Sequence, residues 1–490
     1  MSMKQTADKG RTKRAFYKRK WVWIVTGVVA AMLILVGPWP AYSTHFEGSS
    51  YARATFARVD ALPLEPTRGP LRAGVAVTDI TPPVGEPLAG YGGRRPKASR
   101  AVLDRLFAKA ISLSNGQRTV TIVGGDILLV TPELRSAILD RVKLPREEVY
   151  FTATHTHCGP GGYCRRWVFE LALGEFDEKI LARLADAFAE VIRGSRAGMQ
   201  PARVAFRRLA GHPALEKLVV NRRDHSAGYP AMSGLHLFRA DGGLLGSVVV
   251  FSPHATVLDR GDRRVSGDYP GAVQRALEKE VGGVVLFAVG AVGSMGVAGP
   301  KASDSARIEQ IGQQIASAVE GSIGEIRAVE PGEAAPSPGG PTGPQPTATL
   351  AAAILPVDLP PQQWRISEHW RVSPIAVSIL HARQSYIHVL RINGAVFLGM
   401  PADYSGELAA ELDQWAADRS PTPVVTSFNG DYIGYLVPQR HYGCGDYEVR
   451  EMSFFGPWCG DYFTALGSGI MRSVADRDSG KQVQSGSGSR

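Results

Sequence analysis

The sequence predicts an α/β fold, bordering on α+β, with a mixed sheet preceded by one transmembrane helix. Two apolar, β-branched runs at 245–251 and 284–289 have the composition of strands covered on both faces. Helical patterns at 177–199, 271–280 and 303–319 are interleaved with them, the last clearly amphipathic. Strands alternating with helices pack as layers on a sheet. An uncharged stretch, WVWIVTGVVAAMLILVG at 21–37, follows a basic segment and lies at the short end of a membrane span.

Residues 1–20 hold Lys4, Lys9, Arg11, Lys13, Arg14, Lys18, Arg19 and Lys20 against Asp8, so most of the formal charge of +9 sits there. Lys and Arg mark cytoplasmic flanks, which predicts a cytoplasmic tail at 1–20, a membrane anchor at 21–40 and an extracytoplasmic body. Trp21, Trp23 and Trp39 stand near the ends of the span, where indole rings favour the interface. A cleaved signal peptide and a buried core helix are the alternatives. The rest of the chain is close to neutral and has no basic stripe, which argues against nucleic acid as a partner. The Walker A pattern is absent, and no nucleotide cofactor is expected. Four cysteines in 490 residues are too few for a disulfide scaffold. Their local spacing predicts two bridges, Cys158–Cys164 and Cys444–Cys459, in an oxidising compartment.

Residues 41–70 read as a juxtamembrane segment, helical near 51–59. One domain is expected over 71–478. It opens with GVAVTDITPP, a strand stopped by a proline pair, and a turn rich in glycine at Gly90, Gly92 and Gly93. LFAKAISLSNG and TVTIVGGDILLV read as neighbouring strands, PELRSAILDRV as a helix, and VYFTATHTH as a strand running into a Gly-Pro-Gly-Gly loop. Further strands are expected at 203–208, 235–239, 375–380 and 387–398. The segment 330–348 is rich in Pro and Gly and reads as a surface insertion. Residues 479–490 form a Ser/Gly tail, expected to be disordered.

Four segments carry candidate chemistry. In THTHCGPGG, His155 and His157 are two apart, so on an extended strand they share a face. Imidazole is a good zinc ligand, and the glycines that follow let backbone approach a ligand. The plain alternative is a pair of hydrogen-bonded histidines. In VVVFSPHATVLD, His254 also follows an apolar strand. Asp259, Asp262 and Asp268 come next and can orient a histidine by hydrogen bonds; Asp268 is kept as the candidate, although the spacing does not choose among them. In FLGMPADYSGE, Asp403 stands at a helix start, where a plain N-cap is the competing reading. In NGDYIGYLVP, Tyr432 and Tyr435 are three apart, a spacing that usually means core. GxSxG and HExxH are absent, which removes the serine-elbow and zincin readings.

Taken together and in this order, GVAVTDITPP, GYGGR, THTHCGPGG, NRR at 221–223, FSPHAT, MPAD and NGDYIGY resemble the catalytic domain of the neutral, non-lysosomal ceramidases over about 74–462. The resemblance implies a mixed-sheet α/β domain holding one zinc ion through two histidines, a carboxylate and a tyrosine. Carried over residue by residue, the ligands are His155, His254, Asp403 and Tyr435. His157 and Arg222 fall on substrate-facing positions, and Tyr435 shares in the chemistry. Gly293, Ser294 and Tyr432 fall where the substrate head is held. Aspartate stands at 403 where the family has glutamate, with Glu407 as the alternative carboxylate. Ala291 and Gly293 stand where the family has aspartate and serine, and the loop after Pro438 is remodelled.

The implied activity is zinc-dependent hydrolysis of an N-acyl amide in a lipid, with ceramide the leading candidate. Two alternatives remain: a zinc hydrolase of a non-sphingoid N-acyl or envelope substrate, and an envelope binding or structural protein whose site has decayed. In each enzyme reading the partner is a lipid or amphiphilic N-acyl substrate at a membrane surface.

Overall fold

The computed structural model describes residues 4–94, 98–166, 169–301, 304–329, 343–377, 383–417 and 419–480, with side chains from residue 19 onward. Most of the predicted insertion at 330–348 and of the tail at 479–490 lies outside them. Two sheets form the body. The large one orders its eight strands as Val284–Val289, Leu244–Phe251, Met232–Arg239, Gln200–Leu209, Arg72–Asp79, Phe107–Ser114, Thr119–Gly125 and Val149–Phe151. The small one orders Thr67–Pro70, Thr347–Asp358, Gln384–Ile392, Ala395–Gly399 and Thr422–Thr426. Both are mixed: Leu244–Phe251 runs parallel to Val284–Val289, and Ala395–Gly399 parallel to Thr422–Thr426, within otherwise largely antiparallel pairings.

Period-2 alternation sets the layers. Ile111, Leu113, Val120, Ile122, Val248 and Val250 share one core with Leu350, Leu390 and Phe397 of the small sheet, so the two sheets pack face to face. The opposite face of the large sheet is covered by helices. Glu178–Ala197 buries Ile180, Leu184, Phe188 and Val191, the i, i+4, i+8, i+11 stripe of an amphipathic helix, and Asp177 caps its N-terminus by accepting from the Lys179 amide. Asp268–Glu280 and Asp304–Arg327 cover the other half of that face. Ser50–Asp60, Gly406–Ala416 and Cys459–Asp478 cover the outer face of the small sheet. The result is four layers, helix–sheet–sheet–helix.

The large sheet curls until its two edges meet. The Val289 amide donates to Ala153 O (2.9 Å), so the exits of the first and last strands in the sheet order touch. The small sheet joins at the same place: Ser427 N donates to Val289 O (3.1 Å), and Asn429 Nδ2 donates to Phe151 O (2.6 Å). Three strand exits therefore converge on one spot.

Several expectations need correction. No helix among the described residues is long and apolar enough to cross a membrane. The helix Lys4–Leu35 stops at Leu35, and the chain then turns through Gly37 (φ +108°) into Trp39–Pro40, which pairs with Trp370–Arg371. The apolar helical part, 21–35, is only about 22 Å long at 1.5 Å per residue, against about 30 Å of hydrocarbon. The predicted anchor at 21–40, and the placement of the body that rested on it, fall with this. Both predicted disulfides are also absent: all four cysteines are free. Cys158 packs into the core under Asp268–Glu280, while Cys164 lies in the core under Glu178–Ala197. Cys459 is buried at the start of its helix, and Cys444 is exposed on a loop. Sequence neighbours here face different cores.

Smaller differences have local causes. The strand expected at 387–398 is two strands, because Asn393 (φ +51°) and Gly394 make a tight turn that folds Gln384–Ile392 back on Ala395–Gly399. Of the strand expected at 375–380, residues 375–377 belong to the short helix Pro374–Val377, and 378–380 lie outside the described residues.

Candidate metal centre

His155 stands four residues beyond Val149–Phe151 and His254 three beyond Leu244–Phe251, at the point where the strand exits converge. Each imidazole is fixed by a backbone carbonyl. His155 Nδ1 bonds to Leu128 O (2.8 Å), and His254 Nδ1 bonds to Met295 O (3.0 Å). A carbonyl only accepts, so Nδ1 carries the proton in both rings and Nε2 presents a lone pair. Phe428 stacks on His155 with ring centroids 4.4 Å apart. His155 (φ +60°) and Phe428 (φ +62°) are both held in the left-handed region, an unusual backbone state that tends to be kept at functional sites.

A separate two-stranded pair, in segments that follow the last two strands of the small sheet, supplies the remaining donors. Asp403–Tyr404 pairs in parallel with Tyr435–Leu436, and the register sets Asp403 beside Tyr435. Asp403 Oδ1 lies 3.8 Å from His155 Nε2 and 3.6 Å from His254 Nε2. Tyr435 Oη lies 3.3 Å from His254 Nε2. Tyr432 donates to the other carboxylate oxygen, Oδ2, at 2.9 Å. His157 completes the group, with its Nε2 3.3 Å from that of His155. The three histidines can place ligand atoms within 4.8 Å of one another.

These donors fit a cation. Asp403 is 2% exposed, yet its Oδ1 has no hydrogen-bond partner. Burying a carboxylate oxygen this way is costly unless a positive charge meets it. Burial pushes the Asp403 carboxyl up to about 7 and His155 down to about 3. Burial likewise holds His157 and His254 well below the ordinary imidazole range, and Tyr435 well above that of a phenol. Every group is thus driven toward neutrality, and a bound cation is the one partner that reverses this for the carboxylate while using neutral imidazoles as they are. Two imidazoles, a carboxylate and a phenol form a hard-to-borderline donor set that suits zinc.

A buried ion network borders the centre. Arg222 Nη2 lies 3.3 Å from His254 Nε2 and donates to Glu448 Oε1 (2.6 Å). Arg223 Nε donates to Glu448 Oε2 (3.1 Å), and its Nη1 pairs with Glu407. Glu407 is otherwise held by His441 Nε2 (2.8 Å), Ser405 Oγ (2.9 Å) and Asn221 Nδ2 (3.2 Å). Burial opposes its charge, but these cations and donors keep it below the usual carboxylate range. Its oxygens are committed to this network.

His155, His157, His254, Arg222, Asp403, Tyr432 and Tyr435 are therefore brought together. Tyr432 stands behind Asp403 as its hydrogen-bond donor. Gly293 and Ser294 lie against the backbone of 403–405, with Ser294 fully buried. Asp268 accepts from the amides of Leu258 and Tyr269 at a helix start. Sequence reasoning missed Glu448, which holds both arginines, and Tyr447, whose Oη is 3.2 Å from Arg222 and 3.4 Å from Tyr435. The signal available was the DYEVRE run, where an acid and an aromatic follow the Tyr-x-x-Tyr pair within one short loop. It also missed Gly90, where a β-carbon would lie 2.6 Å from His157, and Tyr91, whose ring packs on His157 at 4.7 Å.

A histidine pair beyond the strand ends of the large sheet, closed by a carboxylate and a phenol on a separate two-stranded pair, defines a candidate metal centre. Residues 71–295 match the family model described as neutral/alkaline non-lysosomal ceramidase, N-terminal. Among curated relatives, the neutral ceramidase of Pseudomonas aeruginosa is 28% identical over 234 residues, 43% of this chain and 34% of that protein. That of Mycobacterium tuberculosis is 25% identical over 242 residues, 44% of this chain and 37% of that protein. The matched segment thus spans about a third of these relatives' length. Among solved structures, the neutral ceramidase from Pseudomonas aeruginosa superposes with a TM-score of 0.69 at 20% identity, covering 83% of this chain and 75% of that one. A ceramidase complexed with C2 gives 0.67 at 20% identity, covering 86% and 77%. These two likenesses establish a shared fold.

Proposed function

We propose that this chain is a zinc-dependent hydrolase of an N-acyl amide in a lipid, with ceramide the first substrate to test. The observation that carries the reading is the buried, unpartnered Asp403 Oδ1 set between the Nε2 atoms of His155 and His254. The match of residues 71–295 to the ceramidase family model and the relatives named neutral ceramidase support the substrate class. The metal would be held by His155, His254, Asp403 and Tyr435. Bound there, zinc would supply a Lewis acid that polarises a carbonyl and makes water acidic enough to react near neutral pH.

The chain's own residues do the rest. Arg222, clamped by Glu448, and His157, packed between Tyr91 and His155, present donors to the oxygen on which charge develops. Burial keeps His157 neutral, so one ring nitrogen donates a hydrogen bond while the other accepts. Tyr432 orients the carboxylate, and Tyr447, 44% exposed, stands beside Arg222 and Tyr435 where a substrate would approach.

The test pairs metal analysis with a substrate panel. Wild-type protein is expected to carry one equivalent of zinc and to release fatty acid and amine from ceramides, N-acyl amino acids or N-acyl ethanolamines in detergent. His155→Ala is expected to lose both properties. Release from non-sphingoid amides alone would keep the hydrolase and move its substrate. Absence of release from every amide, with zinc bound, would overturn the reading.

A further inference from the structure

We propose that Gly293 is the positioning residue that lets a carboxylate as short as aspartate reach the metal, so that Gly293 and Asp403 act as a matched pair. This rests on the metal reading above. The segment 293–295 touches the centre three times. Met295 O receives His254 Nδ1, Ser294 O receives the Arg222 amide (2.7 Å), and Gly293 packs directly on the strand that carries Asp403. At Gly293 the contact is backbone to backbone. Its amide donates to Tyr404 O (2.8 Å), its carbonyl accepts from Gly406 N (3.1 Å), and it forms a parallel bridge with Ser405.

No side chain fits in that contact. A β-carbon at 293 would lie 2.6 Å from Asp403 O and 3.0 Å from both Tyr404 C and Ser405 N. These are backbone atoms and cannot swing aside, so any larger residue drives the Asp403 strand away from the histidines. With glycine in place, Asp403 Oδ1 already sits 3.6 and 3.8 Å from the two Nε2 atoms. Ligands about 2.0–2.2 Å from a tetrahedral zinc are about 3.4 Å apart. The aspartate is therefore nearly at ligating distance, and one more methylene would overreach. The glycine sets the separation of the strands, and the separation sets the length of carboxylate that fits.

The test is zinc affinity, measured by competition with a chromophoric chelator, for wild type, Gly293→Ala, Asp403→Glu and the double variant. Asp403→Glu alone is expected to weaken binding about tenfold or more, because the longer side chain is crowded. Gly293→Ala alone is expected to weaken it by a similar factor, because the strand recedes. The double variant is expected to bind more tightly than either single one, since the longer carboxylate spans the wider gap. A merely structural glycine gives no such rescue. Singles that multiply to the double's loss, or Asp403→Glu binding as tightly as wild type, would overturn the proposal. If Gly293→Ala does not fold, the Asp403→Glu affinity still decides. Failure of wild type to bind zinc would instead overturn the metal reading.

Discussion

The large sheet brings its histidines to the centre on the exits of buried strands, and each ring is pinned again by a carbonyl from a third segment, Leu128 or Met295. Asp403 and Tyr435 arrive differently, on a separate two-residue parallel pair that is tied to Gly293, to Met452 O through the Tyr435 amide and to Thr464 through the Tyr404 hydroxyl. The two regions also differ in how far they resemble their relatives. The family model matches 71–295, which holds the histidines and Arg222, whereas the fold likeness extends over 83% of the chain. A ligand fixed by a strand exit and a carbonyl constrains sequence across several segments at once. A ligand on a short pair is constrained mainly by spacing, and spacing can be kept by different residues.

This contrast makes graded predictions. His155→Ala and His254→Ala are expected to reduce zinc affinity by more than about 100-fold, beyond the 10–100-fold that loss of a supporting hydrogen bond brings. Equilibrium dialysis with metal analysis checks it; a full equivalent of tightly held zinc in both variants would remove the large sheet from the centre. Glu448→Ala leaves Arg222 and Arg223 without their shared buried carboxylate. It is expected to cost about 3–5 kcal/mol in urea unfolding, with Glu448→Gln milder.

Glu407→Ala separates the two carboxylates of the small-sheet region. Its oxygens are spent on Arg223, His441, Ser405 and Asn221, so zinc content is expected to stay at the wild-type level while stability falls by about 1–3 kcal/mol. Zinc loss in that variant would shift the ligand from Asp403 to Glu407.

A further expected effect lies wholly within the large-sheet region. Burial raises the carboxyls of Asp126 to about 6 and Asp268 to about 7. Unfolded, both titrate near 3.9, so between about pH 4 and 7 the folded state binds more protons than the unfolded one. Stability is therefore highest below that window and falls as pH rises through it, by up to about 1.4 kcal/mol per pH unit for each group. Asp126→Asn is expected to flatten this slope between pH 4 and 6 in unfolding series; an unchanged slope would assign it to other groups.

The sequence made some of this readable and hid the rest for physical reasons. The runs 245–251 and 284–289 are buried strands because nothing but apolar, β-branched side chains suits a position covered on both faces. His155 and His254 stood out because each ends such a run. The four-layer arrangement did not stand out, since alternation says which side chains share a face and not what covers it. Glu448 was hidden in a four-residue helix, Tyr447–Arg450, too short to show a period, and its role depends on two arginines more than 200 residues away. The N-terminal stretch misled because an uncharged run was read without regard to where its helix stops. The cysteines misled because sequence neighbours were assumed to face each other, whereas Cys158 and Cys164 face separate cores.

The central claim is that one zinc ion joins the histidines of the large sheet to the separate strand pair, and anomalous diffraction at the zinc edge on crystals of the zinc-loaded protein tests it most directly. The account predicts a single peak about 2.0–2.2 Å from His155 Nε2, His254 Nε2 and an oxygen of Asp403, with Tyr435 at the fourth side. A peak enclosed by His155, His157 and His254 with Asp403 turned away would contradict it, as would zinc-loaded crystals with no peak among these residues.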